Sequence, residues 1–199
     1  MGTRIMGDSV VLSSIPLTVN IAAAYINGRY AVSQAELEAR FPHDRYGHCW
    51  IDVDGSRANA ADMLDVENFD ATPATANLWV QSWHILRRAS IPVIYCNRGN
   101  EQAVITACAS GGSVLGKHYG LCVATLDGTQ VTGNGIVACQ WKGAAQTRGN
   151  WDETLVYDGS LWPPAAPKPV IASPPAGPPP SKAAALSALE TISEYIEAA

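Results

Sequence analysis

The chain reads as an α/β protein, a reduced or partly open TIM-like (β/α) barrel followed by a Pro-rich linker and a C-terminal helix. Three observations carry this reading. Short apolar runs alternate with helical segments, the mark of βα units around a largely parallel sheet. The length of 199 residues falls short of the roughly 250 that a complete eight-fold barrel uses. Neither GxGxxG nor GxxxxGK[ST] occurs, which leaves a doubly wound nucleotide-binding sheet without its main support.

The elements follow in order. Residues 1–15 hold one arginine and a brief apolar patch at 10–12, too short for the core of a signal peptide, so no secretion leader is expected. Strands are expected at 17–25, 48–53, 63–67, 92–96, 120–125, 136–141 and 154–157, and helices at 33–40, 74–89 and 101–110. Nine of the thirteen prolines fall within 163–180, a stretch that favours extended polyproline II over helix or central strand. It separates a domain at 1–162 from a terminal segment at 181–199. That segment opens with Ser181 as a cap, and Leu186, Leu189, Ile192 and Ile196 recur at helical spacing. A helix this short is marginal alone in water, so it is expected to dock, on its own domain or on another chain.

Composition excludes several classes. A hydrophobic fraction of 47% with 16% charged residues suits a packed core rather than a disordered chain. The net charge of −5 argues against nucleic acid, which needs clustered Lys and Arg. No run approaches the roughly 18 apolar residues of a membrane span. The five cysteines form no CxxC pair and the four histidines no HxH or HExxH, so neither a metal site nor a cofactor is expected. Cys96, Cys122 and Cys139 sit in apolar runs, where reduced thiols behave as small hydrophobes.

The chemistry concentrates in WIDVDGSRANAADMLDVENFDATP, with six carboxylates: Asp52, Asp54, Asp62, Asp65, Glu67 and Asp70. In MLDVE the two-residue period of a strand puts Asp65 and Glu67 on one face. At the carboxyl end of a barrel strand both project into the mouth. Two acids that close cannot ionise independently, so one holds a proton beside a charged partner, the arrangement glycoside cleavage needs. Asp52 and Asp54 form a second same-face pair. Acids after strands also form turns and caps: Asp54-Gly55 suits a turn, and Asp70-Ala71-Thr72-Pro73 suits the start of the next helix.

The order of MLDVEN, PVIYCN, VACQW and NWDETLVYD resembles the barrel lysozymes of glycoside hydrolase family 25 and related barrel domains common in phage and actinobacterial proteins. The resemblance spans roughly residues 17–158. It implies hydrolysis of bacterial wall glycan, with Glu67 as general acid and Asp65 orienting the substrate's acetamido group or stabilising charge. It further implies Tyr95, Gln140, Trp141 and Asp152 as cleft residues. The family carries an aspartate on its first strand. The first strand expected here, within LTVNIAAAYINGRY, offers only Asn20 and Asn27, leaving Asp52 or Asp54 as substitutes.

Two functions follow as expectations. One is a virion-associated muramidase-like hydrolase, a tail component made in the host cytoplasm, that acts on or binds cell-wall glycan and meets other virion proteins through residues 181–199. The other is an inactive structural or adhesive virion protein that keeps the barrel as scaffold. Among the tryptophans, Trp79 and Trp83 share a helix face and suit the core, while Trp141 and Trp151 are candidates for stacking on sugars.

Overall fold

The computed structural model describes residues 2–86 and 91–165. The chain divides into two compact units, Met1–Ala166 and Pro167–Ala199. The second, with most of the Pro-rich linker and the whole expected helix at 181–199, lies outside the described residues.

Eight strands close into a barrel in chain order: β1 Arg4–Asp8, β2 Ile21–Tyr25, β3 Gly47–Asp52, β4 Met63–Val66, β5 Val93–Asn97, β6 Gly120–Ala124, β7 Ile136–Lys142 and β8 Asp152–Val156. Neighbours from β1 to β7 pair in parallel. Strand β8 runs antiparallel to both β7 and β1 and closes the cylinder. Of the two expected forms, this is the reduced one. Helices α1 Gln34–Arg40, α2 Pro73–Leu86 and α3 Glu101–Ser110 follow β2, β4 and β5, and the single turn α4 Ala144–Thr147 precedes β8. A short 3₁₀ turn, Leu12–Ser14, bridges β1 and β2. No helix lies between β3 and β4 or between β6 and β7.

The first strand corrects the sequence reading. It is Arg4–Asp8, ahead of the 17–25 run, and that run contributes the second strand. Met6 joins the apolar filling of the barrel, while the opposite face carries Gly7 beneath Ile15, Val19 and Trp151. A Cβ on Gly7 would stand 2.9 Å from Ile15 Cγ2 and 3.0 Å from Val19 Cγ1, so only glycine admits that packing.

Local chemistry starts α1 and α2 where the sequence turns. Ser33 and Glu36 form a reciprocal capping box on α1. Thr72 accepts from Thr75 N at 3.2 Å, and Pro73 occupies the first position of α2, where its missing N–H costs nothing. Trp79, Trp83, Ala76 and Val80 make the buried face of α2 and pack with Leu64, Val66, Ile94, Cys96, Leu121 and Val123 from the outer faces of β4 to β6. The tryptophan pair is core, as its spacing predicts. The alternate residues, Met63, Val93, Tyr95, Cys122 and Ala124, fill the barrel interior. All five cysteines are buried. Burial pushes the Cys108 thiol up to about 11, the Cys96 thiol up to about 12 and Cys122 well above its ordinary value.

The amino end of the barrel is sealed by the residues after β8. Leu161 and Trp162 are buried in the interior cluster, and Arg4 donates to their carbonyls at 2.8 and 3.0 Å. Gly47, the first residue of β3, faces this seal: a Cβ there would lie 1.9 Å from the Trp162 carbonyl oxygen. Gly47→Ala is therefore expected to displace the seal and lower stability by about 1–3 kcal/mol, read as a reduced urea midpoint with the far-UV spectrum unchanged in pure buffer.

Candidate functional site

A hollow of about 140 Å³ opens at the carboxyl end of the parallel strands, lined by Asp8, Tyr25, Asp65, Glu67, Tyr95, Gln140, Asp152 and Thr154 above a floor that includes Met6, Ile51 and Met63. The strand period explains the set. Met63, Asp65 and Glu67 alternate with the outward Leu64 and Val66, so the two acids share one face as the sequence predicts. Asp8 ends β1, and Asp152 begins the reversed β8, directly opposite it in the pairing register. Tyr95 pairs with Asp65 across β4 and β5.

Four carboxylates from three strands thus face one hollow, and no cationic side chain lines it. Burial dominates their protonation. Desolvation, then the charge of Asp152, pushes Asp8 up to about 8, against the pull of a hydrogen bond from Gln140. Desolvation, followed by the charges of Glu67, Asp70 and Asp8, pushes Asp65 to about 8 as well. Glu67 and Asp152 are raised by the same loss of water. A hydrogen bond with Tyr95 pulls Glu67 back, and nearby Asp70 and Asp152 raise it again. At neutral pH the cluster therefore holds protons shared among acids that would all be charged in water.

Hydrogen bonds order the group. Tyr95 donates to Gln140 Oε1 at 2.5 Å, and Gln140 Nε2 donates to Asp8 Oδ2 at 3.2 Å. The Tyr95 hydroxyl has one proton for two acceptors, Gln140 and Glu67. A protonated Glu67 leaves that proton to Gln140, whereas a charged Glu67 competes for it. Asp65 Oδ1 is buried without a hydrogen-bond partner, which adds to the desolvation that favours its protonated form.

The structure brings Asp65, Glu67, Tyr95, Gln140 and Asp152 together. Asp8, which the sequence reading passed over, completes the acid group. The remaining candidates stand elsewhere. Asp52 is fully buried: its Oδ1 accepts from Asn27 Nδ2, Asp54 N and Gly55 N, and its Oδ2 from Arg57 N and Trp79 Nε1, at 2.7 to 3.2 Å. It ties the β3–β4 loop to α2, with no lone pair left for a substrate. Asp54 is exposed on an adjoining groove, where its hydrogen bonds with Ser56 hold its carboxyl below the usual range. Trp141 is also corrected. The register shifts between Gln140 and Lys142, and Trp141 is absent from the lining of the hollow: its indole donates to Glu153 at 2.9 Å and Lys142 lies 3.8 Å over its ring. Trp151 packs in the outer cluster beside β1 and β2. Among the described residues, no three His, Cys, Asp or Glu side chains are grouped to hold a metal ion.

Scans of the chain against models of protein families, curated proteins and solved structures returned no match.

The raised acids couple stability to pH. A carboxyl whose folded pKa lies above its unfolded value binds its proton more tightly when folded. Its contribution is complete below about 3.8 and is lost as pH climbs towards 8. The thermal midpoint is expected to fall across that window. In Asp8→Asn, which fixes a neutral side chain, the fall should be shallower, as calorimetry at stepped pH will show.

Proposed function

We propose that the chain is a glycoside hydrolase acting on bacterial wall glycan, with Glu67 as general acid. The observation that carries this reading is the group of four carboxylates around one hollow, all shifted towards their protonated forms. Glycoside cleavage needs a proton for the leaving oxygen and negative charge for the cationic transition state, both at neutral pH. A crowded acid group supplies both, because some members keep protons while others stay charged.

In this scheme Glu67 protonates the glycosidic oxygen. Asp65 orients the substrate's acetamido group or stabilises charge beside it. Asp152 provides negative charge, Asp8 holds a proton near neutral pH, and Tyr95 and Gln140 hold the acids in place. The inactive-scaffold alternative rests on the missing first-strand aspartate and on the expected helix at 181–199; Asp8 on β1 speaks against the first of these. Attachment to a phage particle through 181–199 belongs to the same proposal and rests on the resemblance and on the Pro-rich segment before it.

Glu67→Gln keeps the shape of the side chain and removes its proton. It is expected to cost at least about 10²-fold in the rate of wall-glycan solubilisation, with the thermal midpoint preserved. Undiminished release of soluble fragments by the variant would remove the assignment. Tyr95→Phe deletes a contact that favours charged Glu67, so the basic limb of the rate profile is expected to move to higher pH, measured on the same substrate.

A further inference from the structure

Beside the hollow runs a second depression, a groove of about 550 Å³ that shares Tyr25, Asp65 and Glu67 with it. Its other walls include Tyr30, Arg29, Asp70 and Phe69. Phe69 is conspicuous on two counts. The residue is fully exposed. Its backbone has a φ of 76°, in the left-handed region that strains a bulky residue.

The turn explains the geometry but not the residue. Asp70 N donates to Glu67 O at 3.3 Å and Ala71 N to Asp65 O at 3.2 Å, so residues 67–70 form a tight turn directly after the acid pair. Phe69 takes its third position, which in a turn with positive φ suits glycine or asparagine. A phenylalanine there brings backbone strain and full exposure, and it gains no contact within the described fold. Strain and exposure of this kind persist at sites where the side chain serves a ligand.

We propose that this groove is a second sugar subsite, continuous with the acid hollow, and that Phe69 is its stacking platform. The occupant is a pyranose ring of the glycan strand, next to the ring held over the acids. Its C–H face lies on Phe69, and its hydroxyls meet the polar rim at Arg29 and Asp70. The ring neighbours Glu67 through only two residues of chain, so it sets which end of the strand reaches the acid. The subsite rests on the glycan-hydrolase reading for its ligand class, and it stands or falls by separate measurements.

The test uses Phe69→Gly and Phe69→Ala in the full chain, each also combined with Glu67→Gln so that bound oligosaccharide survives. The glycine variant relieves the turn and loses no packing, so its thermal midpoint is expected to equal or exceed that of the parent. The alanine variant removes the ring and keeps the strain. Calorimetric titration with the N-acetylglucosamine hexamer should show both binding roughly 3- to 10-fold more weakly than the Glu67→Gln parent. Phe69→Trp should restore affinity.

Equal affinity in parent and glycine variant would overturn the subsite even if wild-type protein cleaves wall glycan. Absence of hexamer binding by the parent would overturn it as well. Affinity that depends on Phe69 in a protein that cleaves nothing would keep the groove and remove the hydrolase.

Discussion

One strand running against the other seven governs the molecule. Were β8 parallel, its first residue would lie at the sealed amino end. Because it is reversed, Asp152 begins at the mouth, opposite Asp8 in register. Closure of the sheet and assembly of the acid group are therefore a single event. The same reversal lets a short chain close a barrel: β7 and β8 connect through one helical turn, where a parallel partner would need a full crossover.

Crowding of like charges in a dry hollow is destabilising unless the charges are removed, and protonation removes them. The chain could have neutralised these acids with an arginine, as buried carboxylates often are. Asp52 shows another solution in the same molecule. Five hydrogen bonds surround it, so an acid on the neighbouring strand becomes part of the frame that holds the β3–β4 loop against α2. Residue type is the same in the two places. Donor supply separates structure from chemistry.

Much of this was legible in the sequence. Alternation in MLDVE put Asp65 and Glu67 on one face, and the apolar runs at 48–53, 92–96, 120–125 and 136–141 became strands within a residue or two of those bounds. The first strand was hidden because RIMGD is five residues long, with a charged residue at each end and a glycine inside, and offers little apolar signal. Asp8 was lost with it. Trp141 was misplaced for a different reason. The register shift between Gln140 and Lys142 breaks the two-residue period at Trp141, and nothing local in IVACQWK marks it. The burial of Asp52 had no local signal, because Asn27 and Trp79 approach it from 25 residues before and 27 after. Nor did any pattern single out Phe69, whose strain is a property of the turn.

The buried thiols have a consequence outside the mouth. Cys96 and Cys108 lie beneath the helices and Cys122 within the barrel, each held in its protonated, unreactive form by loss of water. Alkylating reagents and mild oxidants meet them only after the layers separate. Each sulfur is thus a silent reporter of opening, and the three together distinguish peeling of the outer helices from rupture of the cylinder itself.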